Sequence, residues 1–257
     1  MNSSLEVLPI VPPKDVNKLN RPVNPILPDV ATGAMVLLIS PVKTGKSTLI
    51  SNLLLSPNFY KGVFDIVYII SNTIMNDTTS RFLRDQYKAT VFPEYDDSII
   101  NNIIAYQESF AKEDQPKIAI ILDDCVGSVP RNSMVNHLAT RYRHYGVGML
   151  LFSSQIFRAL PSVVRANATH VICGSPNNNA KEMEKLSEEL GAAYGGQKNW
   201  LNLYKKCARK RYDFMYMDLE STPALVYRNF SELIYTAKTN EDNAREMDEA
   251  TSSDEDE

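Results

Sequence analysis

The chain has 257 residues, of which 44% are hydrophobic, 23% charged and 9% aromatic. This composition is typical of a globular protein with a sizeable core, and it excludes a wholly disordered, collagen-like or disulfide-stapled chain. The three cysteines have no Cys-x-x-Cys spacing, which argues against a zinc ribbon and favours a reducing, intracellular compartment.

The formal net charge of −4 is distributed unevenly. Residues 238–257 hold nine acidic and two basic residues, which predicts a disordered acidic tail and leaves the rest of the chain net positive. Six of the fourteen prolines lie in residues 1–30, which favours an extended N-terminal arm. One domain is therefore predicted at 31–237.

No apolar run approaches the ~20 residues that span a bilayer, and no signal-peptide pattern is present, so neither a membrane segment nor secretion is expected.

Strand-like and helix-like patterns alternate between these flanks. Continuous apolar runs predict strands at 34–40, 63–71, 117–123, 147–154 and 169–174. Helix-like spacing occurs at 44–55, 78–87, 98–110, 131–145 and 179–190. A terminal hairpin is predicted from 213–219 and 224–230. Because the strands are apolar on both faces, the chain is predicted to be an α/β protein with a mostly parallel sheet and helices on both faces.

The segment from Ser40 to Thr48 matches the phosphate-binding loop Gly-x-x-x-x-Gly-Lys-Ser/Thr, except that Ser40 replaces the first glycine. A loop between a strand and a helix N-terminus turns backbone N–H groups toward a phosphate, and the helix dipole adds positive potential. Gly45 permits close backbone approach, Lys46 reaches the β- and γ-phosphates, and the Ser47 hydroxyl ligates Mg²⁺. The other loop residues expected to contact the nucleotide are Ser40, Lys43, Thr44 and Thr48.

Polar side chains follow two more predicted strands. Asp123 and Asp124 end the strand at 117–123, where Asp123 is expected to hold the Mg²⁺ shell and Asp124 to act as the general base for the attacking water. Gln155 follows the strand at 147–154, at the end that faces the nucleotide crevice of a parallel sheet. It is expected to hydrogen-bond the γ-phosphate or the lytic water, although a solvated loop glutamine is the alternative.

Arginines precede the strand at 147–154. Arg141 and Arg143 are expected at the opposite edge of the sheet from the chain's own γ-phosphate, from where either could reach a neighbouring subunit's site as a trans arginine finger. Arg158 and Arg165 are weaker candidates for that role. Plain surface arginines are the alternative interpretation.

Other motifs are absent or ambiguous. The sequence has no His-Glu-x-x-His zinc motif, no Gly-x-Ser-x-Gly elbow and no Asn-Lys-x-Asp guanine-reading tetrad, so ATP is favoured over GTP. A cluster of five cations at 205–211 follows Trp200 and Tyr204. It could contact a phosphate backbone, and a solvated helix face is at least as common.

The ordered set of motifs resembles the genome-packaging ATPases of large double-stranded DNA viruses and virophages, which belong to the FtsK/HerA superfamily. The resemblance covers residues 31–235 and rests on a strand before TGKST, a strand ending in Asp-Asp, RYRHYGVGMLLFSSQ and FRALPSVVRANATHVI. It implies a RecA-like P-loop NTPase fold with an additional strand between the phosphate loop and the Asp-Asp strand. It also implies assembly as a homo-oligomeric ring, a hexamer or pentamer, with ATP between subunits.

The resemblance implies a role for each matching residue. Lys46 and Ser47 match the phosphate-loop lysine and hydroxyl, Asp123 matches the metal carboxylate, and Asp124 stands where a catalytic glutamate is usual. Gln155 matches the sensor and Arg143 the arginine before the sensor strand. The implied cofactors are ATP and Mg²⁺, and the implied partners are double-stranded DNA and capsid or portal-vertex proteins, with no membrane. The expected location is the host cytoplasm or a viral factory, or the virion itself.

The function expected from these features is ATP-driven translocation of viral double-stranded DNA into the capsid. One alternative is a nucleotide or small-molecule kinase, which shares the phosphate loop but would need an acceptor pocket and a lid. A second is an ATP-binding assembly factor without turnover that docks on capsid proteins through its proline-rich arm and acidic tail.

Overall fold

The computed structural model describes residues 23–125, 129–130, 132–175 and 177–237. Within them, one nine-stranded sheet is accompanied by seven α-helices. The strands are β1 (Ala34–Ile39), β2 (Ile66–Ser71), β3 (Val91–Phe92), β4 (Ile118–Asp123), β5 (Val147–Ser154), β6 (His170–Gly174), β7 (Phe214–Asp218), β8 (Leu225–Arg228) and β9 (Glu232–Thr236). The helices are α1 (Lys46–Leu55), α2 (Arg81–Gln86), α3 (Asp97–Glu108), α4 (Met134–Arg141), α5 (Ser162–Ala166), α6 (Ala180–Leu190) and α7 (Gln197–Cys207).

The order of the strands positions the functional site. The sheet runs β3-β2-β4-β5-β1-β6-β7-β8-β9, and its first six strands are parallel. Strand β5 lies between β1 and β4, with Ile39 opposite Ser154 and Asp123 opposite Ser153. The carboxyl ends of these three strands therefore meet at one edge of the sheet, where ligands of open α/β sheets bind. The predicted mostly parallel sheet is confirmed.

Helices cover both faces of the sheet, because alternate residues of each apolar strand point to opposite sides. In β1, Leu37 belongs to a core formed with α3 to α7, whereas Leu38 belongs to a second core formed with α1 and α2. Both side chains are almost fully buried. This two-sided burial explains why the strand sequences show no alternation of apolar and polar residues.

Helix boundaries follow local capping and turn chemistry. Asp96 caps α3 by accepting a hydrogen bond from the Ser98 backbone N–H at 2.7 Å. The helix predicted at 131–145 is shorter, because α4 ends at Arg141 and a tight turn of residues 142–145 follows. Gly146 ends that turn with φ of 65°, a left-handed conformation that suits glycine, and the chain then enters β5.

The C-terminal region contains more structure than the sequence predicted. The expected hairpin is present as β7 and β8, and β9 extends it by a further antiparallel strand. Helix α7 was not predicted as a helix. It buries Trp200, Leu203, Tyr204 and Cys207, and it exposes Lys205 and Lys206 of the basic cluster. Most of the predicted arm and the whole acidic tail lie outside the described residues. Within the described part of the chain, no helix is both long and apolar enough to cross a bilayer.

Candidate functional site

The loop between β1 and α1 has the backbone shape of a phosphate cradle. Lys43 and Gly45 adopt left-handed conformations, with φ of 61° and 95°, and the Leu49 N–H donates to the Gly45 carbonyl at 2.8 Å to begin α1. Such turns direct successive N–H groups into one concavity at a helix N-terminus. At Gly45 a side chain would also lie 3.2 Å from the Tyr212 ring, so the glycine is required by both conformation and space.

The serine that replaces the first glycine of the motif is accommodated by a second glycine. Ser40 is buried, its hydroxyl contacts the Thr44 hydroxyl, and its carbonyl accepts a hydrogen bond from Lys46 Nζ at 3.3 Å. A Cβ atom at Gly174, at the end of neighbouring β6, would lie 1.9 Å from Ser40 Oγ. The space that Ser40 needs is therefore provided by the absence of a side chain at Gly174.

The loop lysine contacts the second of the paired aspartates. Lys46 Nζ lies 3.0 Å from Asp124 Oδ2, and both side chains are largely shielded from solvent. Asp124 has φ of 49°, and its N–H donates to the Ser153 carbonyl at 3.0 Å, so β5 holds the backbone just beyond β4. The left-handed turn after β4 and the anchored backbone together carry the carboxylate to the lysine.

Asp123 has the features of a metal carboxylate. It is buried at the end of β4, and the Ser71 hydroxyl donates to its Oδ2 at 3.1 Å. The other oxygen, Oδ1, makes no hydrogen bond of ordinary geometry to the described residues, although Ser153 lies beside the carboxylate. Burial raises the pKa of Asp123, and the neighbouring Asp124 charge adds to that rise. A buried carboxylate oxygen that lacks a hydrogen bond of ordinary geometry fits a site for a hard cation or its bound water.

A third carboxylate, which was not predicted from the sequence, lies beside Ser47 of the phosphate loop. Asp77 follows β2, lies beside the Ser47 hydroxyl, and accepts hydrogen bonds from the Thr79 N–H at 2.9 Å and the Ser80 hydroxyl at 2.8 Å. Burial alone would raise the pKa of Asp77, but these hydrogen bonds outweigh it and hold the pKa below its usual value. Asp77 is therefore ionised beside the hydroxyl expected to ligate Mg²⁺.

The predicted residues meet in a crevice of about 510 Å³ at the carboxyl edge of the sheet. The crevice walls include Lys43, Gly45, Lys46, Ser47, Thr48, Asp124 and Gln155 from the predicted set, together with Asp77, Arg211 and Tyr212. Ser40 and Thr44 instead line a smaller adjoining cavity of about 190 Å³, and Asp123 is buried behind the crevice. Gln155 is exposed at the end of β5. The structure thus brings together all of the predicted residues except the candidate finger arginines.

Arg143 lies at the other end of the sheet. Its Nε donates to the Tyr142 hydroxyl at 3.0 Å, and its Nη2 lies 3.2 Å from Glu220 Oε1. Arg143 lines an open cleft of about 680 Å³ at the amino ends of β1 and β5. Residues 30–33 and 146–148 form part of its wall. Arg141 is exposed at the end of α4. The two weaker candidates are engaged within the chain, Arg158 with Glu182 at 2.9 Å and Arg165 with Glu189 at 2.8 Å.

Two residues of the turn before β7 reach the phosphate loop. Arg211 Nη2 donates to the Lys43 carbonyl at 3.2 Å, and the Tyr212 ring covers Gly45. Arg211 belongs to the basic cluster at 205–211, whereas Tyr212 was not predicted as a site residue. The sequence signal for Tyr212 was its proximity to that cluster. The contact between Arg211 and Lys43 joins residues 168 positions apart, so the sequence does not indicate it.

Comparison with known proteins gives similarity in structure only. No family model matches the chain, and no curated protein matches it in sequence. Among solved structures, the genome packaging NTPase B204 from Sulfolobus turreted icosahedral virus 2 with ATP-gammaS matches with a TM-score of 0.52 and 22% identity, covering 76% of this chain and 97% of that one. The same protein with AMPPCP matches with a TM-score of 0.55 and 21% identity, covering 76% and 96%.

A third similar structure is the DNA-packaging ATPase B204 from Sulfolobus Turreted Icosahedral Virus. It has a TM-score of 0.54 and 20% identity, and the match covers 76% of this chain and 96% of that one. At this level of identity the similarity establishes the fold. The predicted P-loop NTPase fold is confirmed, and the chain shares it with viral genome-packaging NTPases.

Proposed function

We propose that the chain is a Mg²⁺-dependent ATPase that drives double-stranded viral DNA into a capsid during virion assembly. The observation that carries the proposal is the 3.0 Å contact of Lys46 with Asp124 in a crevice at the carboxyl edge of the sheet. The fold is also that of a packaging NTPase whose structures hold ATP-gammaS and AMPPCP. Three strand ends distant in sequence thus converge where a triphosphate would bind.

The residues of the crevice, together with the buried Asp123, could bind the nucleotide and activate the attacking water. Lys46 and the N–H groups of the loop would bind the phosphates, while Ser47 and Asp123 would hold Mg²⁺, which neutralises phosphate charge. A bound triphosphate would draw Lys46 away from Asp124, because the phosphates carry the larger negative charge. The released Asp124 carboxylate could then orient and deprotonate the attacking water, while Gln155 hydrogen-bonds the γ-phosphate or that water.

Hydrolysis in this account needs a neighbouring subunit. Arg143 lies too far along the sheet to serve its own crevice, since it sits beside the amino end of β5 whereas Gln155 follows the carboxyl end. In a homo-oligomeric ring of six or five subunits, Arg143 could enter the next subunit's crevice and stabilise the charge of the transition state. Its present partner, Glu220, would have to be exchanged for phosphate.

The partners follow from the motor role. A packaging motor must ignore base sequence, so contacts with DNA should be chiefly to phosphates and binding should weaken steeply with salt. Docking on capsid or portal-vertex proteins would place the ring at the shell, within the host cytoplasm, a viral factory or the assembling virion.

The proposal is tested by measuring ATP hydrolysis by the purified protein with and without double-stranded DNA, with the oligomer mass determined in parallel. We expect a ring whose ATPase rises with DNA, and we expect Lys46→Ala to abolish nucleotide binding. A monomer stimulated by a nucleoside acceptor would instead indicate a kinase. Stable ATP binding without turnover in the presence of DNA would indicate an assembly factor.

A further inference from the structure

The turn between α7 and β7 has a costly backbone conformation. Tyr212 adopts φ of 74°, which is uncommon for an aromatic residue, and 58% of its surface is exposed. Such a conformation persists only where the surroundings impose it, and it is concentrated at ligand sites. The conformation of Tyr212 therefore indicates that its ring has a role in ligand binding.

The turn is fixed by its neighbours in the sheet. Asp213 accepts a hydrogen bond from the Lys210 N–H at 3.0 Å, and its carboxylate lies 3.2 Å from Arg228 of β8. The Tyr212 N–H donates to the Ser175 carbonyl at 3.4 Å. These contacts fix the turn against the end of β6 and against β8.

The ring is held against the phosphate loop. Tyr212 Cδ1 lies 3.2 Å from the position that a Cβ atom of Gly45 would take. On the ring, the Arg211 guanidinium carbon lies 5.0 Å from the centroid, and its Nη2 donates to the Lys43 carbonyl. Tyr212 also borders both the 510 Å³ crevice and the 190 Å³ cavity that Asn52 helps to line. An exposed aromatic surface and a guanidinium thus stand beside the phosphate-binding end of the site.

We infer that Tyr212 is the stacking surface for the base of the bound nucleotide, with Arg211 bracing the ring against the loop. The inference rests on the proposed function, since it assigns the base of the ATP that the phosphate loop would bind. A flat, exposed ring beside a triphosphate site offers what a purine stacks on, and stacking of a base on an aromatic side chain is a substantial, sequence-tolerant source of affinity. Tyr212 is thus a residue that selects a nucleoside triphosphate over a bare polyphosphate.

The experiment compares ATP with inorganic tripolyphosphate, which carries the phosphates without the base. Binding of AMPPCP and of tripolyphosphate, each with Mg²⁺, is measured by calorimetry for the wild type, Tyr212→Ala and Tyr212→Phe. We expect Tyr212→Ala to weaken AMPPCP binding about 10-fold and to leave tripolyphosphate binding within about 2-fold. Tyr212→Phe, which keeps the ring, should bind both ligands like the wild type.

Two controls separate this inference from the proposed function. Tyr106→Ala removes an exposed tyrosine of α3 and should change neither affinity, whereas Lys46→Ala should weaken both ligands. Equal weakening of both ligands by Tyr212→Ala would overturn the inference, because the ring would then only shape the phosphate loop. Unchanged binding of AMPPCP would overturn it as well. Failure of the wild type to bind either ligand would instead contradict the proposed function.

Discussion

At the scale of single residues, the account depends on the exchange of partners at Lys46. Lys46 Nζ lies 3.0 Å from Asp124 Oδ2 and also donates to the Ser40 carbonyl. Breaking such a shielded pair by removing one partner leaves the other charge uncompensated, unless a ligand replaces it. Removing the carboxylate charge and removing the lysine charge should therefore have different effects.

Asp124→Asn should separate binding from turnover. The neutral side chain no longer competes with the phosphates for Lys46, so we expect ATP binding to be retained or strengthened. Hydrolysis should fall by about 100-fold or more, because the general base is missing. Nucleotide binding and phosphate release would be measured on the same preparation. Asp85→Asn, at an exposed aspartate of α2, is the matched control. Full hydrolysis by Asp124→Asn would remove the proposed base.

The pairing of Ser40 with Gly174 predicts a coupled pair of substitutions. Gly174→Ala places a Cβ atom 1.9 Å from Ser40 Oγ and 2.7 Å from its Cβ, so we expect a loss of about 1–3 kcal/mol in the free energy of unfolding. Ser40→Gly leaves only the Cα atom at 3.5 Å and should rescue much of that loss. Denaturant unfolding of the two single variants and the double variant measures the coupling. Strictly additive effects would show that the two residues do not share this space.

At the scale of elements, β6 contains a buried histidine, His170, whose protonated form is disfavoured by burial. His170 stacks on Tyr216 of β7, with 5.8 Å between ring centroids, and its Nε2 lies 3.5 Å from Asp218 Oδ1. Burial lowers the pKa of His170 to about 4, and the Asp218 charge only partly opposes this. The unfolded chain therefore binds a proton at this histidine at a higher pH than the folded chain does.

His170 adds stability above its unfolded pKa of 6.5, and that contribution is lost as the pH falls from 6.5 toward 4. Between pH 7 and pH 5, the wild type and the exposed-histidine control His144→Gln should lose up to about 2 kcal/mol more than His170→Gln. Denaturant unfolding at the two pH values measures the difference. An identical pH dependence in all three proteins would exclude His170 as its source.

Elements with strong local signals were predictable, and those stabilised by distant contacts were not. Strands β1, β4 and β5 are continuous apolar runs, and the loop before α1 has a motif, so their convergence followed from parallel-sheet topology. Helix α7 has a polar sequence and is held by the burial of Trp200. Strand β9 is a partly exposed edge strand that only pairing with β8 defines. Asp77 and Tyr212 lie in loops whose sequences do not indicate what they will contact, so tertiary structure alone brings them to the site.

At the scale of the whole molecule, the proposed function requires two distant parts of the chain to meet in one active site. The crevice with Lys46 and Gln155 opens at the carboxyl edge of the sheet, and Arg143 stands in a cleft at the amino edge. In a ring, each interface would join the crevice of one subunit to the cleft of the next. The catalytic unit would then be the interface between two subunits.

This arrangement predicts complementation between inactive variants. Arg143→Ala should bind ATP but hydrolyse it about 10³-fold more slowly, since a trans arginine stabilises only the transition state. Mixing Arg143→Ala with Lys46→Ala should restore part of the ATPase, because some interfaces would combine an intact crevice with an intact arginine. Arg81→Ala, at an exposed arginine of α2, serves as the control. Absence of any recovery in mixed rings of confirmed composition would exclude the trans role.

The most direct test of the motor is ATP-dependent displacement of a third strand from triplex DNA by the purified ring. The account predicts displacement that requires ATP, fails with AMPPCP and is lost in Lys46→Ala. Vigorous DNA-stimulated ATP hydrolysis with no displacement of the third strand would contradict it.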